Sequence, residues 1–210
     1  IVTYNKLKLL KGRIIMKNSI YYNQNSRPTS AFNINPNMLN YNVGVPISLA
    51  KSLEGKYFVG IASNMKFGEA TNAWARLYNP PDSNVNLYVN VWTAGNVTLT
   101  PFRIQIWFNS DANGIIEESN NVTPSNTVIK PLPVPKIKLQ YANGVKGFPE
   151  NGIYAFGRNG IANETIVSEE EGKFIFPPGG SFLVQLSNPA TPTQAAFGRV
   201  AFGWWEEPII

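Results

Sequence analysis

Beyond residue 55 the chain holds a series of short runs in which apolar side chains recur at every second position. VNLYVNVW sets Val85, Leu87, Val89 and Val91 on one face and Asn86, Tyr88 and Asn90 on the other. PFRIQIWF sets Phe102, Ile104, Ile106 and Phe108 against Arg103 and Gln105. SFLVQL and RVAFGWW alternate likewise, through Phe182, Val184 and Leu186, then Val200, Phe202 and Trp204. A period of two with one polar face predicts antiparallel strands packed on one side only. KYFVGIA, KIKLQY and KFIF read as further strands. Asn-Gly occurs at 113, 143, 151 and 159, a pair that tolerates the positive φ of tight hairpins. The runs Pro80-Pro81 and Pro177-Pro178-Gly179-Gly180 stop strands where they stand. One helical stretch interrupts the pattern, PISLAKSLEG at 46–55. Pro46 suits its first turn, Leu49 and Leu53 lie four apart, and Gly55 can cap its end. About nine or ten short strands with almost no helix predict an all-β fold, an antiparallel two-sheet sandwich of jelly-roll-like form.

The first part of the chain is different. Residues 18–45 are Asn-rich and show no periodicity. Residues 1–53 hold seven cations (Lys6, Lys8, Lys11, Arg13, Lys17, Arg27, Lys51) and no acid, whereas the remainder holds eleven cations and thirteen acids. The overall charge of +5 therefore belongs to the N-terminal part. This divides the chain into a basic, extended arm, 1–45, and a sandwich domain, 46–210. KGRIIM is also the in-frame reading of a purine-rich ribosome-binding site ahead of a start codon. Met16 thus stands beside a processed Ile1 as a candidate first residue. LKLLKGRIIM breaks its apolar run with Lys8, Lys11 and Arg13, unlike a secretory signal. No apolar run approaches the ~20 residues that cross a bilayer, so no membrane span is expected. The arm's cations are thinly spread among Leu, Ile and Asn, with no helix-turn-helix or RNA-recognition pattern behind them, which argues against nucleic acid as a partner.

With no Cys and no His in 210 residues, Ser-His and Cys-His nucleophile pairs, Cys/His zinc sites and thiol redox chemistry are excluded. Carboxylates, Lys, Tyr and oxygen-ligated metals remain. NSDANGIIEESN places Asn109, Asp111, Asn113, Gly114 and Glu117 at positions 1, 3, 5, 6 and 9 of a calcium loop. Position 12 is Asn120 where a bidentate Glu is required, and the preceding segment reads as a strand rather than a helix. A hairpin turning at Asn113-Gly114 is the preferred reading. A weak ion held by Asn109, Asp111, Asn113 and Glu117 is the alternative. Glu117-Glu118, Glu169-Glu170-Glu171 and Glu206-Glu207 read as solvated charge. No G-x-S-x-G elbow or phosphate loop occurs. No cofactor is expected, nor an enzyme.

Trp74, Trp92, Trp107, Trp204 and Trp205 all fall in or beside strands. Trp204 and Trp205 must face opposite sides of one sheet. If Trp204 points inward, Trp205 points out, and Trp107 lies on the polar face of its own strand. An outward Trp implies cover by the chain itself, a subunit interface, or a platform for sugar rings.

The ordered strings GKYFVGIA, NAWARLYNPPDSNVNLYVNV, IWFNS, PLPVPKIKLQY, GKFIFPPGGSF and RVAFGWWE, over about residues 55 to 207, resemble an uncharacterised all-β family from spore-forming bacteria, a domain of unknown function. N-P-P-x-S-x-V-N-L-Y followed later by P-P-G-G-S-F is more loosely similar to β-sandwich subunits of phage particles and spore appendages. The resemblance implies no activity or site residue. The resulting expectation is a non-enzymatic structural subunit, a homo-oligomer or polymer forming a filament, coat or capsid-like array at a cell or spore surface. Leu7, Leu9, Ile14 and Ile15 of the arm would add as a strand to a neighbour's sheet edge, near Trp107 and Trp205. The alternative is a carbohydrate-binding or adhesion module in which Trp107 or Trp205 stacks on a glycan. A carboxylate-only hydrolase is the third reading.

Overall fold

The alternating segments form two antiparallel sheets. The structure, a computed structural model, describes residues 8–10, 13–15 and 44–209. The chain divides into two units, Ile1–Val45 and Pro46–Ile210. In the first, β1 (Lys8–Leu10) and β2 (Arg13–Ile15) pair with each other antiparallel, Leu9 opposite Ile14.

The second unit opens with α1 (Ile47–Leu53), which ends as its sequence predicts. Gly55 takes φ +74°, its N–H donates to the Ser52 carbonyl, and the Lys56 N–H donates to the Lys51 carbonyl. These two bonds are a Schellman cap. There follow β3 (Tyr57–Gly68), β4 (Asn72–Tyr78), β5 (Val85–Asn96), β6 (Phe102–Phe108), β7 (Glu117–Glu118), β8 (Val122–Pro124), β9 (Lys138–Val145), β10 (Ile153–Gly160), β11 (Thr165–Phe176), β12 (Ser181–Ser187) and β13 (Ala195–Pro208). One sheet has six strands in the order β10-β6-β12-β4-β9-β7, and the other has five in the order β11-β5-β13-β3-β8. Successive strands mostly alternate between sheets, which makes a sandwich-like all-β fold consistent with a jelly-roll-like architecture. No helix among the described residues is long and apolar enough to cross a membrane.

The inward faces carry the residues that the period of two selects. Leu87, Val89, Ile104, Ile106, Phe182, Val184, Val200 and Trp204 are buried in one cluster between the sheets, together with Phe67. In β5 a bulge at Asn90 shifts the phase, so that Trp92 rather than the expected Val91 turns inward. The half-buried expectation fails for the six-stranded sheet. All seven residues of β12 are buried, as are the five central residues of β4. The outer face of this sheet has its own small core of Trp74, Ala142, Val145 and Leu183, with Trp107 and Ala112 packed against it. The segment after β6 lies across this face, and the Trp74 indole N–H donates to the Asn113 carbonyl at 2.8 Å.

Turn chemistry also departs from expectation. Asn159-Gly160 lies within β10 and Asn143-Gly144 within β9. The tightest corner, between β3 and β4, uses Glu69 and Ala70 at φ +52° and +60°, closed by reciprocal Gly68–Thr71 backbone bonds. Two successive positive φ values favour Asn-Gly. Here the Ala70 N–H is held by the Pro192 carbonyl at 2.7 Å, so tertiary contact fixes a conformation that local preference opposes.

Candidate functional site

Two regions of the sandwich present surface that its own fold leaves unmatched. The first is one flank. β10 ends the six-stranded sheet and β11 ends the five-stranded sheet. They lie on the same side of the molecule, because Phe156 of β10 and Phe174 of β11 pack with ring centroids 6.1 Å apart. Each strand has a ladder partner on one side only among the described residues. Ile153 and Tyr154 on β10 and Val167 and Ile175 on β11 are exposed beside these open backbones. The opposite flank is different: its edges are two-residue β7 and three-residue β8. There Ser119 and Asn121 bond the backbone of Ile61. Short edges tied down in this way offer little to a second chain, although beyond Ile61 β3 runs on to Gly68 with no ladder partner on that side among the described residues.

The second region is the outer face of the six-stranded sheet. Trp107 stands on it, as its place on the polar side of β6 requires. Its ring lies 6.4 Å from Phe148 and 5.3 Å from Tyr154, centroid to centroid. Towards one end, two clefts of about 290 and 200 Å³ meet at Arg103 and Pro189. The larger also has Asn159 and Gly160 in its wall, and the smaller has Asn72, Phe148, Ser187 and Asn188. Gln105 and Gln185 are paired across β6 and β12, and each has a side-chain oxygen that is buried without a hydrogen-bond partner. Arg103 and Phe148 escaped the sequence reading. Arg103 was one more polar-face residue, and Phe148 sits alone between Gly147 and Pro149, outside any periodic run.

Trp205 does face away from Trp204, but the chain itself covers it. It is 5% exposed and stacks on Tyr88 with centroids 5.3 Å apart and planes 9° apart. A bulge in β11 brings Gly172, at φ +78°, against the ring. A Cβ at Gly172 would lie 2.0 Å from Trp205 Cη2. Trp205 therefore presents no ring face to a partner or a sugar. Gly172→Ala is expected to destabilise the fold by about 1–3 kcal/mol, from strain at positive φ and displacement of the indole. Urea unfolding measures this, and an unchanged midpoint would contradict the contact.

The candidate ion ligands diverge. The Asn109 side-chain oxygen accepts from the Ser181 N–H, and that of Asp111 from the Asn151 amide. The Asn113 amide donates to the Lys146 and Phe148 carbonyls, and Glu117 accepts from the Tyr141 hydroxyl. No group of three or more carboxylates gathers among the described residues. The segment is not a simple hairpin either. It leaves β6, crosses the outer face and joins β7, with Gly114 at φ +93° close against Val145.

Two of the acids read as solvated are buried. Glu170, 6% exposed, accepts from the indole N–H of Trp92 at 3.1 Å and from Ser168 at 2.7 Å. Glu206, also 6% exposed, accepts from the backbone N–H groups of Lys136 and Ile137 and from the indole of Trp204. Burial pushes the Glu206 carboxyl above the usual carboxylate range, against the pull of these donors. Both carboxylates thus cap a core indole and are structural. Glu207 follows the opposite logic. Burial raises it, but hydrogen bonds from Lys51 and Lys56 more than offset this and hold it below the ordinary range. That pairing ties α1 to the end of β13.

Of the arm residues, Leu9, Ile14 and Ile15 lie in the β1–β2 pair, and Leu7 lies outside the described residues. Residues 32–210 match the family of unknown function DUF6143, and the chain belongs to that family. The match reaches further towards the N-terminus than the strings at 55–207, into the Asn-rich stretch. Nothing matches among the curated proteins or among the solved structures.

Proposed function

We propose that the chain is a non-enzymatic structural subunit that assembles with copies of itself, the N-terminal arm of one copy adding as a strand to a sheet edge of the next. The observation that carries this reading is the open flank. β10 and β11 are eight and twelve residues long. Unpaired backbone of that length, bordered by apolar side chains, is a template for strand addition. The acceptor is β11 by charge. It exposes Glu169 and Glu171 against the single Lys173, a net negative edge, whereas β10 carries Arg158. The arm brings Lys6, Lys8, Lys11 and Arg13 interleaved with Leu7, Leu9, Ile14 and Ile15. Among the described residues the two three-residue strands of the arm pair with each other, a marginal unit to which joining an existing sheet would add what it lacks.

Deletion of residues 1–20 tests this. The full chain is expected to elute as assemblies by size-exclusion chromatography with light scattering, and the truncated chain as a folded monomer. Assembly by the truncated chain, or a full chain that stays monomeric, overturns the reading. The carbohydrate-binding alternative is favoured by the Trp107, Phe148 and Tyr154 group beside the two clefts. Without an exposed Trp205, it narrows to that face.

A further inference from the structure

We propose that the outer face of the six-stranded sheet, from Arg103 to Trp107, binds a saccharide that carries a carboxylate, such as an oligomer of hexuronic acid. The inference rests on the carbohydrate reading of this face, gives it a ligand class, and is independent of assembly through the arm.

The sheet register orders the site. Along β6 and β12 the outward residues pair as Arg103 with Ser187, Gln105 with Gln185, and Trp107 with Leu183. A cation, a pair of amides and an aromatic ring therefore follow one another along one face, two residues apart on each strand. Arg103 stands where the two clefts meet and contributes to both. Among the described residues no carboxylate lies within ion-pair distance of it. A guanidinium presents a planar fork of donors that matches a carboxylate with two parallel bonds. A carboxylated ligand supplies that match.

The remaining groups fit a hydroxyl-rich ring rather than an apolar one. Gln105 is 8% exposed and Gln185 is fully buried. Gln185 spends its amide N–H on the Gly147 carbonyl, while its oxygen and that of Gln105 have no donor within the protein. Neither oxygen reaches the surface and neither glutamine lines a cleft, so the hydroxyl groups of a ligand meet the cleft walls instead. Asn159, Asn72 and Ser187 add polar groups at the cleft walls. Phe148, 52% exposed and backed by Trp107, offers a flat apolar surface beside them. Aromatic faces with a few convergent polar groups form the usual mixture of an orienting ligand site. Clefts of about 290 and 200 Å³ are at or below the small end of the ~300–1,000 Å³ range of ligand pockets, which suits one or two sugar rings.

The test is calorimetric titration of the full chain with trigalacturonate and, separately, with its carboxyl-reduced neutral counterpart. Saturable binding of the acid, at least about tenfold tighter than of the neutral trimer, is expected. Arg103→Gln should remove that preference. Phe148→Ala should weaken both ligands. Both residues are exposed, and thermal unfolding of each variant controls for the fold. Equal affinity for the two trimers, or an unchanged preference in Arg103→Gln, overturns carboxylate recognition while leaving a glycan site standing. Saturable binding of neither trimer overturns both.

Discussion

Glu206→Ala is expected to lower the unfolding free energy by about 3–5 kcal/mol, because it strands two buried donors and a half-buried one at once and each unsatisfied buried donor costs ~1–3 kcal/mol. The Lys136 N–H sits 2.9 Å from one carboxylate oxygen, and the Ile137 N–H and Trp204 indole each sit 3.1 Å from the other. Without the carboxylate, the segment leading into β9 loses its anchor, and Trp204 keeps a buried N–H with no acceptor. Urea unfolding measures the loss, and a change below about 1 kcal/mol would show that water substitutes freely. Glu206→Gln keeps the shape and isolates the charge. A carboxyl whose folded pKa is raised binds its proton more readily in the native state, so lowering pH through the folded pKa towards the ordinary value of 4.5 adds stability. Wild type should therefore gain on Glu206→Gln as pH falls through that window. A difference that stays flat with pH would contradict the burial of the charge. Glu207, with its pKa depressed, works the other way and loses stability as pH falls through its folded value. It is common to both proteins and cancels in the comparison.

Trp74→Ala should cost about 3–5 kcal/mol as well, the range for removing a fully buried large aromatic. Trp74 lies outside the space between the sheets, yet nothing of it reaches solvent. It holds the segment after β6 through the Asn113 carbonyl, and the Arg76 guanidinium lies 5.5 Å from its ring. Burial pulls that guanidinium below the usual arginine range. Its Nε donates to the Gln140 side chain at 2.9 Å. Removing the indole opens a cavity among Ala142, Val145 and Leu183 and frees the covering segment. Hydrogen exchange should show loss of amide protection there as well as reduced global stability. A cost typical of a surface site, under about 0.5 kcal/mol, would mean that this outer core is not cohesive.

The contrast between Trp74 and Trp204 shows what alternation reveals. Trp204 continues Val200 and Phe202 on one face, and its burial follows from the period of two. Trp74 falls in NAWARLY, where the period points Ala73, Ala75 and Leu77 inward and leaves Trp74 and Arg76 outside. Its burial depends on a segment about forty residues downstream folding back across the sheet, and a strand pattern carries no trace of that. The roles of Glu170 and Glu206 were hidden as well. Glu206 continues the inward series of Val200, Phe202 and Trp204 and bonds the indole two residues before it, but its place in an acid pair masked this. Glu170 is turned inward by the bulge of β11, beside Trp92 on the neighbouring strand. Asn-Gly was a poor guide where strands ran straight through it, and Glu69-Ala70 turned because the Pro192 carbonyl holds it. At the outer face, Trp107 was legible because it breaks the polar side of β6. Arg103 and Phe148 were not, because their proximity is created by the register of β6 with β12 and by the course of the chain after β9.

The imbalance between the two flanks sets a rule for how copies can be counted together. If β10 or β11 met its own counterpart on a second molecule, the two edges would satisfy each other in a closed pair, and growth would stop at two. Unlimited length needs a donor distinct from the acceptor, so that each added molecule consumes one vacant edge and brings another. If the arm of each chain fills the β11 edge of the next, as proposed, every unit makes two connections, and the expected product is an unbranched thread.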